Sequence, residues 1–351
     1  MGAVIMYHYP IRNMDYFSKL LEVSPDEHTM GDSLQRYMQI KVHPLIDGSD
    51  YEKIIVQGKF DRTYGVSSKE KTGKLFNYMR PTARIEDSCL YLNCFPGIDY
   101  VFHYGNILKS YMALSGKHIN ISHILPSDEE CWNIISESEL KHIPKPHTVI
   151  MGYVEGLDGI SEEKMWQGKG NFLWKNVQLS TSQAILLGCK HTYWGEIAGR
   201  IVKFLALSGV KRVIYSGKLG TLDSKLMPNQ AIATGNISVL PNGKVVEWNN
   251  LFGDITDSQV FHGTHVTVPS VLQETKVWLE KGKKSINFVD PEIGHMALSA
   301  HESGIDFSYL HIISDNLSKK FETDLSNERR IDVIENRKKL CQKIGAIITR
   351  L

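Results

Sequence analysis

The sequence predicts an α/β protein preceded by a separate N-terminal α+β part. From about residue 147 onward, short apolar runs alternate with amphipathic helical stretches, the pattern of strands and helices layered about a sheet. The chain's 351 residues suit two domains at roughly 100–200 residues each. The stretch 126–146, polar and flanked by prolines, places the boundary near its end, giving 1–145 and 146–351.

In the first part, 53–56, 90–92 and 120–124 read as strands and 106–114 as a helix, while 65–74, dense in Lys, Gly and Ser, reads as an exposed loop. In the second part, TVIMGY (148–153) and 184–187 are buried strands. A helix follows over 194–208, with Ile197, Ile201, Phe204 and Leu205 on one face. The next strand starts at Val213 and breaks at Ser216-Gly217, and further strands fall at 231–234, 265–268 and 286–289. A helix starts at Pro291, a residue suited to a first helical position. The strand 309–313 and a charged amphipathic helix over 327–349 complete the chain.

Composition excludes several classes. Hydrophobic residues make up 42% and charged residues 23%, ordinary for a globular protein, and the formal charge of +1 advertises neither nucleic acid nor an anionic membrane as partner. The runs 328–330 and 337–339 read as a solvated helix face. No stretch approaches the ~18 apolar residues of a membrane span. Five cysteines without a CxxC pair, and an N-terminus unlike a signal peptide, predict a cytoplasmic protein. His262 and His265, or His295 and His301, have no carboxylate at a metal-site spacing, so no metal and no cofactor is expected. Trp166, Phe172 and Trp174 could roof a base, although core packing is their more ordinary use.

Four segments carry chemistry: GYVEGLDG (152–159), LGCKHTYWG (187–195), YSGKLGTL (215–222) and FVDPEIGHMALSAHESGIDFSYLHIISDN (288–316). Each lies where a strand feeds a loop, the place where open α/β sheets bind ligands. Gly152 and Gly156 flank one such turn. Gly217 and Gly220, lacking a Cβ, let backbone approach a flat ligand, though a glycine in a turn ordinarily signals the turn alone. Glu292 follows Pro291 at a helix start, where the dipole favours its ionised form; acids are common there without any ligand. Asp315 ends an apolar run, where an aspartate often only caps the next turn.

In this order, the four segments resemble the nucleoside phosphorylase and nucleosidase superfamily over about residues 147–351. The resemblance implies a mixed central sheet flanked by helices and cleavage of the N-glycosidic bond of a purine-type nucleoside or nucleotide. It implies Asp315 as the acid that protonates the base, Glu292 on the ribose hydroxyls, and Gly217, Lys218, His191, Tyr193, Val289 and Ser270 around the substrate. Glu274 corresponds loosely to a base contact. Pockets of this family lie at subunit contacts, which implies a homo-oligomer. The departures point to water rather than phosphate as nucleophile. Cys189 stands where phosphorylases carry the phosphate-binding arginine, and Val154 and Glu155 stand where a hydroxyl residue is expected. Glu155 would repel a phosphate dianion yet could deprotonate a water, with Asp158 as second choice. A phosphorylase with an unusual anion site, with Lys190 and Lys218 supplying charge, and a nucleoside-binding domain without turnover are the alternatives.

Overall fold

In the computed structural model, which describes residues 14–48, 51–321 and 330–351, the apolar runs of the first part assemble a small sheet. Its elements are α1 (Ser33–Gln39), β1 (Lys53–Gln57), β2 (Thr82–Glu86), β3 (Cys89–Asn93), α2 (Ile98–Leu114) and β4 (Asn120–Ile124), followed by α3 (Asp128–Ser136). The strand order is β2-β3-β1-β4. β2 and β3 form an antiparallel hairpin, whereas β1 lies parallel to both β3 and β4. Parallel strands cannot be joined by a tight turn, and α2 carries the chain from β3 across β1 to β4. It begins at Ile98, earlier than the predicted 106, because its first amides find an acceptor far away in sequence (below).

The stretch 126–146, predicted as a polar connection, contains α3. Ser127 and Glu130 form a reciprocal capping box at its start, and Cys131, Ile135, Leu140 and Ile143 turn inward to the core.

The second part comprises β5 (Thr148–Gly152), β6 (Phe172–Gln178), β7 (Gln183–Cys189), α4 (Glu196–Leu207), β8 (Arg212–Thr221), β9 (Ile232–Thr234), β10 (Ile237–Val239), β11 (Val245–Glu247), β12 (Val260–His262), β13 (His265–Thr267), α5 (Lys276–Gly282), β14 (Phe288–Asp290), α6 (Ile293–Ser303), β15 (Asp306–Asn316) and α7 (Ile331–Ile348). Its strands form an 11-stranded sheet. β8 runs parallel to β5 and β15, while β14 and β8, β15 and β9, and β6 and β7 pair antiparallel. The protein is therefore an α/β fold with a mixed central sheet flanked by helices, as the sequence predicts.

Several boundaries differ from expectation. β8 does not break at Ser216-Gly217 but runs on to Thr221, paired along its length with β15. A glycine inside a strand marks close approach of a neighbour, and a Cβ on Gly217 would lie 2.6 Å from the His311 Nε2. The helix after β14 starts at Ile293, not Pro291, because the Asp290 side chain accepts the amides of Glu292 and Ile293 at 2.9 Å each. α7 is described from Ile331; the predicted start at Asn327 and the charges of Glu328 and Arg329 lie outside the described residues. Arg337 does not belong to a solvated face: it is buried and donates to Asn229 Oδ1 at 2.7 Å.

α4 and α6 cross closely, since a Cβ on Gly199 would meet the His295 carbonyl oxygen at 2.7 Å. Ile197, Ile201 and Leu205 are buried as predicted, with Phe204 packed at the margin. Their cluster also contains Phe95, Ile98 and Phe102 from the first part.

Candidate active site at the ends of the central strands

Three strands end together. Val289 of β14 is registered with Gly220 of β8, and Gly220 with Asp315 of β15. A Cβ on Gly220 would lie 2.6 Å from Leu317 Cδ1 and 3.2 Å from both Asp315 Oδ2 and Val289 Cγ1, so this glycine lets the strand ends pack closely. The ladder slips by one residue between Ile313 and Asp315, a bulge that re-aims the side chain. Ser314 Oγ lies 2.9 Å from Asp315 Oδ1, and Asn316 Nδ2 donates to the carbonyls of Asp223 and Leu226 at 2.8 Å each, fixing the strand end. Asp315 is half-buried. Burial raises its pKa; Ser314 and the charges of Arg337, Lys320 and Lys218 oppose that rise.

Glu292 lies on the other side of β8. Its carboxylate accepts from Tyr215 Oη at 3.3 Å and from the Gly195 amide. The predicted ionised, dipole-stabilised state is not what the fold provides. Glu292 makes no side-chain cap, and burial, then the Asp290 charge, push its pKa well above the carboxylate range. Asp290 takes the capping role and the negative charge. Burial works to raise its pKa, but His265 Nε2 at 3.1 Å and His311 Nε2 at 3.6 Å hold it far below the usual value. The two carboxyls thus divide into one charged and one driven towards neutrality.

The first part of the chain enters here through a reciprocal clasp. Glu196, opening α4, accepts the amides of Ile98 at 2.8 Å and Asp99 at 3.3 Å; Asp99 accepts the Glu196 amide at 2.9 Å. Each helix start caps the other. Asp99 also meets His295 Nε2 at 3.1 Å. Gly195 makes the turn at φ +68°, and a Cβ there would lie 2.3 Å from Asp99 Oδ2.

The 191–195 loop then separates the predicted residues by role. His191 is sealed between Phe95, stacked at 4.2 Å, and Phe60, edge-on at 4.9 Å; burial lowers its pKa to about 3. Burial, then Cys189 and Glu292, raise the pKa of Tyr193 well above the ordinary value. Ser270 is buried, caps the turn at Leu272 and lies 2.9 Å from His103 Nδ1 of α2. His103 in turn stacks on Trp194 at 4.2 Å. Glu274 is 5% exposed, and burial followed by the Asp315 charge drives its pKa well up. Burial, then Glu274, raise the pKa of Tyr37 of α1 well above the ordinary value, with Arg80 opposing and Asp315 adding.

The first loop lies differently. Gly152 has φ +109°, and the Tyr153 amide donates to Ser216 O at 2.6 Å. Glu155 Oε1 accepts the amides of Leu75 and, at 2.6 Å, Phe76. Asp158 pairs with Lys175 at 2.7 Å. Lys218 and Lys74 both lie over the Tyr153 ring, at 5.5 and 5.1 Å. Phe172 is core, and Trp166 packs edge-on against Phe76 at 4.6 Å.

Sequence reading missed Asp290, His265, His311, Tyr215, Asp99, Tyr37 and His103. The available signal was a lone polar residue within an apolar run, as with His311 in LHII, which is also how a structural histidine looks. Among the described residues no group of three His, Cys, Asp or Glu side chains is placed to hold a metal.

No protein-family model matches the chain. Among curated proteins, the oxidoreductase cns1 of Cordyceps militaris is 26% identical over 170 residues, 42% of this chain; the match spans 21% of that relative's length. Among solved structures, the 5′-methylthioadenosine/S-adenosylhomocysteine nucleosidase of Neisseria meningitidis is 14% identical, covering 58% of this chain and 96% of its own, with TM-score 0.43. That of Streptococcus pneumoniae with 8-aminoadenine is 14% identical, covering 58% and 99%, with TM-score 0.46. A futalosine hydrolase mutant of Helicobacter pylori strain 26695 is 14% identical, covering 57% and 94%, with TM-score 0.43.

Proposed function

We propose that the protein hydrolyses the N-glycosidic bond of a purine-type nucleoside or nucleotide. The observation that carries this reading is the pair of carboxyls with raised pKa on either side of the end of β8, Asp315 in β15 and Glu292 just past β14. A carboxyl that keeps its proton can deliver it to a departing base. Asp315, next to Gly220 at the end of β15, takes that role, and Glu274 holds the base edge. Glu292, between Tyr215 and the Gly195 amide, accepts from ribose hydroxyls, and the fixed Asp290 charge stabilises the electron-poor sugar.

Water is the favoured nucleophile. The Tyr153 amide, in the turn where phosphorylases gather backbone N–H groups around phosphate, is spent on Ser216 O, and Cys189 is buried with its pKa raised to about 12. Glu155 remains the proposed base: its Oε1 takes two amides, leaving Oε2 to hold water. Lys218, Tyr193, Val289, Ser270 and Gly217 are proposed to frame the substrate. The deciding experiment is chromatographic detection of free base from a panel of purine nucleosides and nucleotides, with and without phosphate. Equal release in both supports hydrolysis, and release only with phosphate overturns it. Glu155→Gln keeps the amide acceptor, so it should abolish turnover and retain base binding; undiminished turnover would remove Glu155 from the mechanism.

A further inference from the structure

Between α2 and the 191–195 loop lies a cavity of about 130 Å³ to which the reading above assigns nothing. Arg80, Lys41 and Lys71 line it together with Tyr100, His103 and Thr192, and no carboxylate is among its lining residues. Arg80 is only 8% exposed, and its Nε has no hydrogen-bond partner. A guanidinium held out of water without a carboxylate is costly, and its planar fork matches the oxygens of a phosphoryl group. The acid beside it, Glu70, is committed to Arg62 at 2.7 and 3.3 Å and to the Arg80 backbone amide at 3.4 Å. His103 adds no charge, since burial and then Lys41 lower its pKa well below the ordinary value; it offers a ring stacked on Trp194.

The cavity adjoins the carboxyl site through one short loop. Thr192 and Trp194 line the cavity, whereas the Gly195 amide donates to Glu292. Tyr37, under the Lys41 ammonium at 4.5 Å, brings its Oη to 3.4 Å from His103 Nε2 of the cavity wall. A ligand with its sugar at Glu292 therefore has a cationic recess next to it, on the side of the N-terminal part.

We propose that this cavity receives a phosphate group carried by the substrate, so that the ligand is a nucleoside phosphate rather than a free nucleoside. The inference rests on the glycosidic-bond reading for the placement of sugar and base. Free phosphate offers the same chemistry, and the test separates the two.

The test is calorimetric titration of the full chain with adenosine, adenosine 5′-monophosphate, their guanosine counterparts and inorganic phosphate, each paired with a base-release assay. A monophosphate should bind at least about 10-fold more tightly than its nucleoside, given charge-assisted hydrogen bonds to Arg80. In Arg80→Gln and Lys71→Gln that ratio should fall towards one. Lys71 is only half-buried, so its variant keeps the test alive should Arg80→Gln not fold. Equal affinity for nucleoside and monophosphate, or a ratio unchanged in both variants, overturns the proposal. So does Arg80-dependent binding of inorganic phosphate that is required for base release. Tight monophosphate binding without base release upholds the cavity and refutes the glycosidic reading. Base release from nucleoside and monophosphate with equal kcat/KM refutes the cavity and upholds that reading.

Discussion

Asp315, Glu274 and Glu292 share one property: their surroundings favour the protonated carboxyl, mainly through burial. For Asp315 the consequence is catalytic. Asp315→Asn removes the transferable proton while retaining a similar shape, and kcat should fall about 10²–10⁴-fold, the usual worth of a general acid. In the wild type, kcat should decline as pH rises through the raised Asp315 pKa; base-release rates across pH in both proteins check this. For Glu274 the consequence is stability. Its folded pKa lies above its unfolded value, so its contribution is fully present below the unfolded pKa and is lost as pH rises through the folded one. Glu274→Gln should therefore flatten the decline of Tm with rising pH and raise Tm by about 2 °C at pH 8. A lower Tm at pH 8 in scanning calorimetry would contradict the assignment.

Among the elements, the clasp between α2 and α4 determines where the 191–195 loop can run. Glu196 satisfies the first amides of α2 and also faces Arg200 of its own helix, which pairs with Asp128 as well. Glu196→Ala would leave buried N–H groups and a buried guanidinium short of partners, and should cost about 3–5 kcal/mol in urea unfolding. A loss below about 1 kcal/mol would mean that α2 does not depend on this residue. β8 shows the opposite case, in which a missing side chain is the structural feature. Gly217→Ala pushes a methyl into His311 and should destabilise by about 1–3 kcal/mol, as overpacking does. Because His311 is one of the two imidazoles holding Asp290 charged, kcat should fall as well; stability and base-release measurements on the same variant test both effects.

At the scale of the whole molecule, the two parts of the chain share a core. Phe95, Ile98 and Phe102 pack in the cluster that holds Ile197, Ile201 and Met296, Phe76 lies over Gly188, and residues 27–29 pair with 274–276 through backbone hydrogen bonds. The fragment 146–351 would therefore expose a large apolar face. Expressed alone, it should lack the cooperative unfolding transition of the full chain in far-UV circular dichroism, and an unaltered transition would show that the first part is dispensable for folding. The basic cavity at Arg80 exists only where the two parts meet, so the fragment should also lose any preference for phosphorylated ligands.

Much of the sheet was legible because a strand or an amphipathic helix is written in neighbouring residues. The period of β5, β7 and α4, the turn glycines, and an acid placed at the end of β15 are local facts, and local physics was enough to find them. The missed elements follow from the same logic. α3 hides its two inward residues in a polar stretch, and α2 begins at Ile98 only because Glu196, remote in sequence, accepts its first amides. Charge state was the least legible property. A carboxylate at a helix start reads as ionised from sequence alone, yet Glu292 is driven towards neutrality by burial and Asp290, and Asp290 is kept charged by two histidines on other strands. The sequence by itself determined the α/β alternation and the positions of Asp315 and Glu292 at strand ends. The tertiary structure alone decided which carboxyl carries charge, that His191 is sealed between aromatic rings, and that Arg80 faces a cavity without an acid. The reason is that pKa and pairing depend on distances between groups remote in the chain, and no local period encodes those distances.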